Sequence, residues 1–330
     1  MFGYEKIELK DQKGKYFSIN IRKLLKELKE IEFLIDEYGF LKDYSEPKRE
    51  IVEGVIGEDT KQRRINQVNG YKFILNKPDI CESKLHELYS ILSVKQLDED
   101  SKLEEEKSYR KKEVLILDKP VRSMMTLPEF DRGIHSSLVK EYMDSLFEYL
   151  DKKDLNPYIK SQIAHFYFVY IHPFYDVNGR TARTISSWLL VKDNKEPYTI
   201  LNRGISFNRH EYLRSIKKSR KGDLTTFIDY TLKTIKQELQ RQISLEELKE
   251  KYKLTSEENE TLELILRLKN KTLSELRNIF FYQKGIYDNK IITKRLLRLI
   301  EKNVITYNRD TKLITIIGGA YESRQNRKFY

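Results

Sequence analysis

The chain has 330 residues, a formal net charge of +11 and a pI of about 9.2, which suits polyanionic partners such as nucleotides, nucleic acid or an acidic protein surface. Lysine-rich helices with solvated faces explain the same charge without such a partner. The single cysteine excludes an internal disulfide and a cysteine-based zinc site. With no apolar run of membrane-spanning length and no apolar signal-peptide core at the N-terminus, we expect a cytoplasmic protein without a membrane span.

The first hundred residues are predicted to be mainly helical. Apolar residues recur at helical spacing through residues 21–38, and two further helices are predicted at 60–69 and 82–93. Residues 48–57, which follow a polar break, form a separate short segment. The charged run at 98–107 is predicted to be a solvated loop.

The central part of the chain combines one predicted strand with a series of helices. Residues 114–117, Val-Leu-Ile-Leu, are short and apolar, which is typical of a strand. Residues 159–171 are apolar nearly all round and are therefore expected at the centre of a core, ending just before Pro173. The other helices are predicted at 138–150, 180–191, 207–218 and 224–243.

From residue 244 the pattern changes. Helices at 257–268, 272–280 and 291–303 precede two β-rich runs around Asn-Arg-Asp-Thr, which predict a hairpin. Three helices that close with a hairpin describe a winged helix. The predicted organisation is an N-terminal helical region (1–100), a core (101–243), a winged helix (244–318) and a polar tail (319–330).

Residues 172–183, HPFYDVNGRTAR, bring several chemically active groups together. A buried helix ends at His172, which is placed to accept a proton, and a turn then starts a helix whose first N–H groups attract anions. Arg180 and Arg183 share one face of its first turn, where cations oppose the helix dipole unless an anion such as di- or triphosphate binds. Asp176 is placed to hold a divalent cation between phosphate oxygens. Each residue taken singly is equally explained by a polar helix corner.

This segment resembles the Fic-domain signature, H-x-F-x-D/E-G-N-G-R-x-x-R, and matches it at every specified position but one. The resemblance implies a mainly α fold, a helical bundle with a β-hairpin flap, and transfer of AMP from ATP to a Ser, Thr or Tyr hydroxyl of a protein, the chain itself included. It implies His172 as the general base, Asp176 as the Mg²⁺ ligand and Arg183 at the γ-phosphate. The nucleotide site that it implies along the turn comprises Asp176, Val177, Asn178, Gly179, Arg180, Thr181, Ala182 and Arg183.

The one departure from the signature is Val177, where the family usually has glycine. A β-branched residue does not comfortably take positive φ, and its N–H still serves a phosphate if the turn keeps negative φ there. Gly179 remains glycine, as in AMP-transferring members and unlike the lysine of Doc-type kinases.

The resemblance extends over residues 48–235. The segment YRKKEV at 109–114 is similar to the one that leads into the family's flap, a hairpin that aligns the target by strand addition. A plain surface hairpin is the alternative. Tyr212 lies in a segment similar to the helix near the adenine, and Arg220 stands where the family often has asparagine. The flap residues implied in this way are Ile116, Leu117, Asp118 and Lys119.

An inhibitory element is implied upstream of this core. The segment REIVEG at 49–54 resembles the family's inhibitory motif, S/T-x-x-x-E-G/N, although Arg49 replaces the usual Ser or Thr. By that resemblance Glu53 pairs with Arg183 and occupies the γ-phosphate position. Low basal activity, raised by Glu53→Gly, is then expected. Some relatives use this glutamate to remove AMP, so the reverse reaction also stays open.

Two functions from different classes are therefore weighed. The first is a protein adenylyltransferase that uses ATP and Mg²⁺ and docks a target protein on the flap. The resemblance also implies a homodimer. The second is a DNA-binding regulator whose core only senses nucleotide, although a winged helix equally serves docking or dimerisation. The intact motif favours the enzyme. In the DNA-binding alternative, the basic residues of the winged helix that would contact DNA are Lys290, Lys294, Arg295, Arg298 and Arg309.

Overall fold

The computed structural model describes residues 3–38, 58–76, 79–117, 130–152, 155–193, 200–207, 209–268, 270–281, 286 and 288–317. These residues are mostly helical and include only short, two-stranded antiparallel sheets, which confirms the predicted mainly α class. The chain divides into two compact units, one formed by Met1–Val52 with Lys61–Ile235 and the other by Glu53–Thr60 with Lys236–Tyr330. Among the described helices, none combines the length and the apolarity that crossing a membrane requires.

The helices predicted at 82–93, 138–150, 159–171 and 180–191 are each present within two residues of those bounds, whereas the helix predicted at 60–69 extends to Leu75. From the N-terminus, the elements are β1 Tyr4–Lys10, β2 Tyr16–Asn20, α1 Leu25–Tyr38, α2 Glu58–Leu75, α3 Glu82–Ser93, β3 Leu115–Leu117, β4 Phe130–Arg132, α4 Val139–Leu150, α5 Pro157–Ile171, α6 Asn178–Lys192, α7 Ile200–Phe207, α8 Arg209–Ser219 and α9 Thr225–Tyr252. They belong to the first unit, except that residues 58–60 of α2 and 236–252 of α9 belong to the second.

The sequence did not predict the N-terminal hairpin of β1 and β2, since residues 1–100 were expected to be mainly helical. Ile7 and Leu9 are buried while their neighbours along β1 are exposed, so the strand follows the two-residue alternation of a half-buried sheet. The first helix also begins later than predicted. Residues 21–23 form a 3₁₀ turn, with the Asn20 side chain accepting the Lys23 N–H at 3.4 Å, and α1 starts at Leu25.

Helix α5 forms the centre of the first unit, as its apolar sequence predicts. Asn156 caps its N-terminus by accepting the Tyr158 N–H at 3.0 Å, and Pro157 occupies the first helical position. Every residue from Tyr158 to Ile171 except Lys160 is buried. Helix α6 packs along it, so the two helices that flank the 172–183 motif are held in the core.

Two helix predictions need correction. The helix predicted at 207–218 corresponds to α8, whereas α7, which ends at Phe207, was not predicted. The helix predicted at 224–243 continues as α9 to Tyr252, since the leucines and isoleucines of its apolar face recur without a break, including the buried Leu245 and Leu248.

The second unit holds α10 Ser256–Arg267, α11 Leu273–Ile279, α12 Asn289–Glu301, and the antiparallel strands β5 Ile305–Tyr307 and β6 Ile314–Ile316. Thr255 and Glu258 form a capping box at the start of α10. The predicted three helices and closing hairpin are therefore confirmed as elements, packed around one apolar cluster that includes Leu262, Leu276 and Leu299. The winged-helix assignment itself stays a prediction.

Candidate active site at the α5–α6 turn

His172 ends α5 in the left-handed conformation, with φ 56° and ψ 60°. Its N–H donates to the Phe168 carbonyl at 3.0 Å, so the helix terminates at this residue. The Nδ1 atom lies 3.3 Å from the carbonyl oxygen of Val169, which assigns the ring proton to Nδ1. In that tautomer Nε2 carries a lone pair and is able to accept a proton.

The pKa of His172 is lowered to about 4, chiefly because burial penalises the charged ring. The hydrogen bond to Val169 opposes this shift, and the positive charges of Arg110 and Arg220 add to it. His172 is therefore neutral at physiological pH. A bound polyanion nearby would offset the two arginine charges and make the ring more basic.

The turn between the two helices is fixed from inside by Phe174 and Asn178. Phe174 is fully buried and its ring stacks on Tyr89 of α3, with 3.7 Å between ring centroids. The Phe174 N–H donates to Asn178 Oδ1 at 3.0 Å, and Asn178 Nδ2 donates to the Phe174 carbonyl at 2.7 Å. Asn178 is itself buried, so its side chain serves to hold the loop.

The turn does not keep negative φ at Val177. Val177 is the N-cap of α6 at φ 64° and ψ 2°, the left-handed region that glycine adopts freely and a β-branched residue rarely does. The loop therefore keeps the glycine-like turn despite the valine. Burial of the valine side chain offsets the strain, which for such a residue is about 1–3 kcal/mol.

Asp176 is exposed beside the N-terminus of α6. Its Oδ1 accepts the Val177 N–H at 2.6 Å, which orients the carboxylate. No group of three or more His, Cys, Asp or Glu side chains able to hold a metal exists in the part of the chain that the structure describes. A divalent ion at Asp176 would therefore need phosphate oxygens and water as its other ligands, which is the usual arrangement for Mg²⁺.

The two motif arginines occupy different surroundings. Arg180 Nη1 donates to the Leu92 carbonyl at the end of α3 at 3.3 Å. Arg183 is buried and folds back over the first turn of α6, since its Nη1 lies 3.4 Å from the point where a Cβ on Gly179 would stand. Two cations thus flank a helix N-terminus, where backbone N–H groups point outward.

Other predicted nucleotide contacts lie in different places. Thr181 and Ala182 are fully buried, and the Thr181 hydroxyl donates to the Val177 carbonyl at 2.9 Å. Tyr212 on α8 is also buried, with its hydroxyl 2.8 Å from Nε2 of His165 in the core. For these three residues, core packing is the observed role of the side chain.

The structure describes two of the four predicted flap residues. Ile116 and Leu117 lie on β3, which pairs antiparallel with β4 through Ile116–Asp131 and Leu117–Phe130. Two other predicted flap residues, Asp118 and Lys119, lie outside the described residues. So does Glu53, the predicted inhibitory residue.

Sequence reasoning missed two arginines that contact the site. Arg110 is almost completely buried and donates Nε to the His172 carbonyl at 2.7 Å. Arg220 lies over the Tyr170 ring at 4.9 Å from its centroid and makes an ion pair with Asp131 at 3.5 Å. Arg110 is visible in the sequence only as part of the YRKKEV segment, and Arg220 only as a departure from asparagine.

Comparison with known proteins agrees with this geometry. Residues 132–190, which include α4, α5, the turn and most of α6, match the sequence model of the Fic/DOC family. A protein adenylyltransferase Fic from Nematostella vectensis is 32% identical over 95 residues, covering 28% of this chain and 21% of that protein. The protein adenylyltransferase fic-1 of Caenorhabditis elegans is 30% identical over 108 residues, covering 32% and 20%. The chain thus spans about a fifth of the length of these curated relatives.

Solved structures show the same fold over more of the chain. A Fic family protein from Desulfovibrio desulfuricans G20 superposes with a TM-score of 0.56 at 17% identity, covering 89% of this chain and 96% of that one. Fic-1 from C. elegans gives a TM-score of 0.51 at 19% identity, covering 69% and 74%. At these identities the likeness concerns the fold.

Proposed function

Because residues 132–190 match the sequence model of the Fic/DOC family, we propose that the chain is a protein adenylyltransferase that moves AMP from ATP to a Ser, Thr or Tyr hydroxyl of a protein. The observation that carries the proposal is the juxtaposition of a neutral histidine, His172, with a helix N-terminus flanked by Arg180 and Arg183. Support also comes from the curated relatives that this chain matches in sequence, which are named protein adenylyltransferase.

In the proposed reaction, the oxygen of the target hydroxyl attacks the α-phosphorus of ATP. His172 Nε2 takes the hydroxyl proton, and the bond between the α-phosphorus and the bridging oxygen breaks, so that pyrophosphate leaves. The lowered pKa of His172 keeps Nε2 unprotonated before the attack. The hydrogen bond from Nδ1 to Val169 orients the ring and stabilises the imidazolium that forms.

The leaving phosphates are proposed to lie against the first turn of α6. Backbone N–H groups at 178–180 and the helix dipole attract them, and Arg180 and Arg183 supply full positive charges. Gly179 gives the anion close access to the backbone, because a side chain there would stand over the turn beside the Arg183 guanidinium. Asn178 keeps this turn in place through Phe174.

Asp176 is the residue proposed to hold Mg²⁺. Its exposed carboxylate lies at the mouth of the turn, and a bound Mg²⁺ would neutralise charge on the phosphate oxygens. The residues present fit that use because one carboxylate, phosphates and water complete the coordination that Mg²⁺ prefers.

Glu53 is proposed to inhibit the enzyme by pairing with Arg183. A carboxylate at the Arg183 guanidinium forms a charge-assisted pair and displaces the γ-phosphate, so that the phosphates of ATP bind out of line for attack. Support comes from the position of the REIVEG segment upstream of the core, as the inhibitory motif requires.

The target protein is proposed to dock on the flap, with its chain added as a strand to the β3–β4 hairpin. Ile116 and Leu117 belong to the short β3 strand, which has one partner strand in the described structure. Main-chain pairing of this kind presents a hydroxyl with little demand on the surrounding target sequence. A homodimer remains part of the proposal through the resemblance.

The DNA-binding alternative is not favoured. Two of the four basic residues assigned to the α12 surface are engaged within the second unit: Arg295 pairs with Glu260 at 2.6 Å and Arg298 with Glu257 at 2.8 Å. Phosphate contacts by these arginines would first require those pairs to break.

Labelled ATP tests the proposal directly. Incubation with ATP labelled at the α-phosphorus is expected to label protein, whereas ATP labelled at the γ-phosphorus is not. His172→Ala removes the general base and should abolish the labelling. Transfer of the γ-label would assign phosphoryl transfer instead and overturn the proposal.

A further inference from the structure

The flap hairpin joins the rest of the first unit at the C-terminal end of α5. The Ile134 N–H, just after β4, donates to the Ile171 carbonyl at 3.2 Å. The Arg110 N–H, just before β3, donates to the Pro173 carbonyl at 3.0 Å. Both ends of the hairpin are therefore hydrogen-bonded to the residues on either side of His172.

The Arg110 side chain reinforces this junction from inside. Its Nε donates to the His172 carbonyl at 2.7 Å and its Nη1 to the Lys112 carbonyl at 2.8 Å. Its Nη2 donates to the Ile134 carbonyl and, at 3.4 Å, to the Ile171 carbonyl. One buried guanidinium thus bridges the end of α5 and both ends of the flap, using its fixed fork of donors.

Arg220 holds the same hairpin from outside. Extending from the end of α8, its Nη2 donates to the Arg132 carbonyl on β4, and its Nε lies 3.5 Å from Asp131 Oδ2. The guanidinium also lies over the ring of Tyr170, two residues before His172, at 4.9 Å from the ring centroid. Arg220 therefore connects the strand β4 to the last turn of α5.

We propose that Arg110 and Arg220 are positioning residues that hold the flap hairpin and His172 as one unit, so that a hydroxyl docked on the hairpin meets Nε2. The proposal rests on the proposed function above. Its physical basis is that the two reacting groups come from different segments, His172 from α5 and the target from the flap. A misplacement of about 1 Å between such groups costs on the order of 100-fold in rate.

The charges of the two arginines are consistent with this role. Both lower the pKa of His172, so both guanidinium groups are close enough to act on its ring. Arg220 stands where the resembled family often has an asparagine. An asparagine side chain is too short to reach from the end of α8 to both β4 and Tyr170 with the same contacts. We therefore assign the outer connection to this chain in particular.

The test uses the full chain with Glu53→Gly and compares Arg220→Gln, Arg220→Lys and Arg214→Gln. Arg214 is the matched control, since it lies on α8, the helix that Arg220 directly follows, and pairs with Glu211 one turn away. Hydrogen exchange is measured for peptides covering 115–117 and 130–134, together with the rate of AMP transfer and the KM for ATP. Arg110→Lys adds a second variant that keeps the internal charge.

Arg220→Gln is expected to speed exchange in the flap peptides and to lower the transfer rate about tenfold or more, with the KM for ATP unchanged. Arg220→Lys should restore part of the rate, and Arg214→Gln should match the parent. Flap exchange and transfer both unchanged in Arg220→Gln would overturn the proposal, as would faster exchange with full transfer.

The design separates this inference from the proposed function. Absence of transfer from the Glu53→Gly parent itself would count against the adenylyltransferase assignment, and the exchange data would still decide whether Arg220 holds the flap. Should Arg110→Lys lose its cooperative unfolding transition, Arg220→Gln alone decides the outcome, because its partly exposed side chain leaves no set of buried carbonyls behind.

Discussion

Asn178 and Phe174 exchange two hydrogen bonds across the α5–α6 turn, at 3.0 Å and 2.7 Å. The amide thereby acts as both acceptor and donor for the main chain of a single residue, and its own burial excludes water as a substitute. This pair explains why an asparagine at the start of α6 matters even where its side chain faces inward.

Substitution of Asn178 is expected to separate stability from nucleotide binding. Asn178→Ala leaves the Phe174 N–H and carbonyl unpaired and should cost about 1–3 kcal/mol of unfolding free energy. Asn178→Asp keeps the acceptor for the Phe174 N–H and suits the helix dipole, so it should be the more stable variant. Its charge repels phosphates, so it should bind ATP less well than Asn178→Ala. Urea unfolding measures the order of stability, and titration calorimetry measures the order of ATP affinity. Equal ATP affinity for wild type and Asn178→Asp would contradict the prediction.

Val177 offers a second prediction, on the backbone. At φ 64°, glycine is free of strain and alanine is not, although alanine is ordinarily the more stabilising of the two. Val177→Gly is therefore expected to unfold with a free energy about 0.5–1 kcal/mol above that of Val177→Ala. Denaturant titration of both variants measures the difference. The ordinary order, with alanine more stable, would show that the turn does not keep the left-handed conformation.

Gly133 is predicted to tolerate no side chain. A methyl group there would lie 2.6 Å from Arg110 Nη2 and 3.3 Å from His172 Cβ, with the guanidinium already committed to main-chain carbonyls. Gly133→Ala should cost about 1–3 kcal/mol of unfolding free energy and slow AMP transfer. Gly179→Ala is the stability control, because its added methyl meets Arg183 Nη1 at an ordinary 3.4 Å. A Gly133→Ala variant as stable as this control would refute the expected crowding.

The lowered pKa of His172 predicts its titration in the free chain. The imidazole NMR signal should titrate near pH 4 rather than at its ordinary value of about 6.5. Since the folded pKa lies below the unfolded one, the stabilising contribution is complete above about pH 6.5 and is lost as pH falls to about 4. His172→Asn should therefore lose less stability than wild type over this window. His86 and His165, whose pKa values burial also lowers, contribute to both proteins alike. A midpoint near 6.5 would contradict the account.

The second unit contains a buried ion pair, and the stability lost on removing it should depend on whether one partner or both partners are replaced. Glu238 is fully buried and accepts from Arg267 Nη1 at 2.8 Å, and Gln242 donates to its other oxygen at 3.0 Å. Glu238→Ala leaves a buried guanidinium without its main partner and should cost about 3–5 kcal/mol. The double variant Glu238→Leu with Arg267→Met removes both charges and should recover most of that loss. A double variant no more stable than Glu238→Ala would show that the pair is not the source of the effect.

Sequence alone predicted the elements that have a strong apolar period. The all-round apolar run of α5 and the 3.6-residue spacing of α3, α4 and α12 each predicted a helix within a few residues of its bounds. The β1–β2 hairpin was not predicted, because the alternation of apolar and polar residues in its strands covers only a few positions among charged ones. Helix α9 continued past the predicted end because no glycine or proline interrupts it.

The candidate site was predictable as a list of residues but not as an arrangement. The motif placed His172 and the arginines around one turn, and the structure brings them together there. The conformation of Val177 was not predictable, because the burial that offsets its strain exists only in the folded chain and leaves no local sequence signal. The roles of Arg110 and Arg220 rest on bonds to main-chain carbonyls, which leave no period or composition in the sequence.

The most direct test of the central claim is intact-protein mass spectrometry after incubation with ATP and Mg²⁺. It compares wild type, Glu53→Gly, and Glu53→Gly combined with His172→Ala. The account predicts a mass gain of one AMP group mainly in Glu53→Gly and none once His172 is lost. A gain that persists without His172, or no gain in any variant even with candidate target protein added, would contradict it.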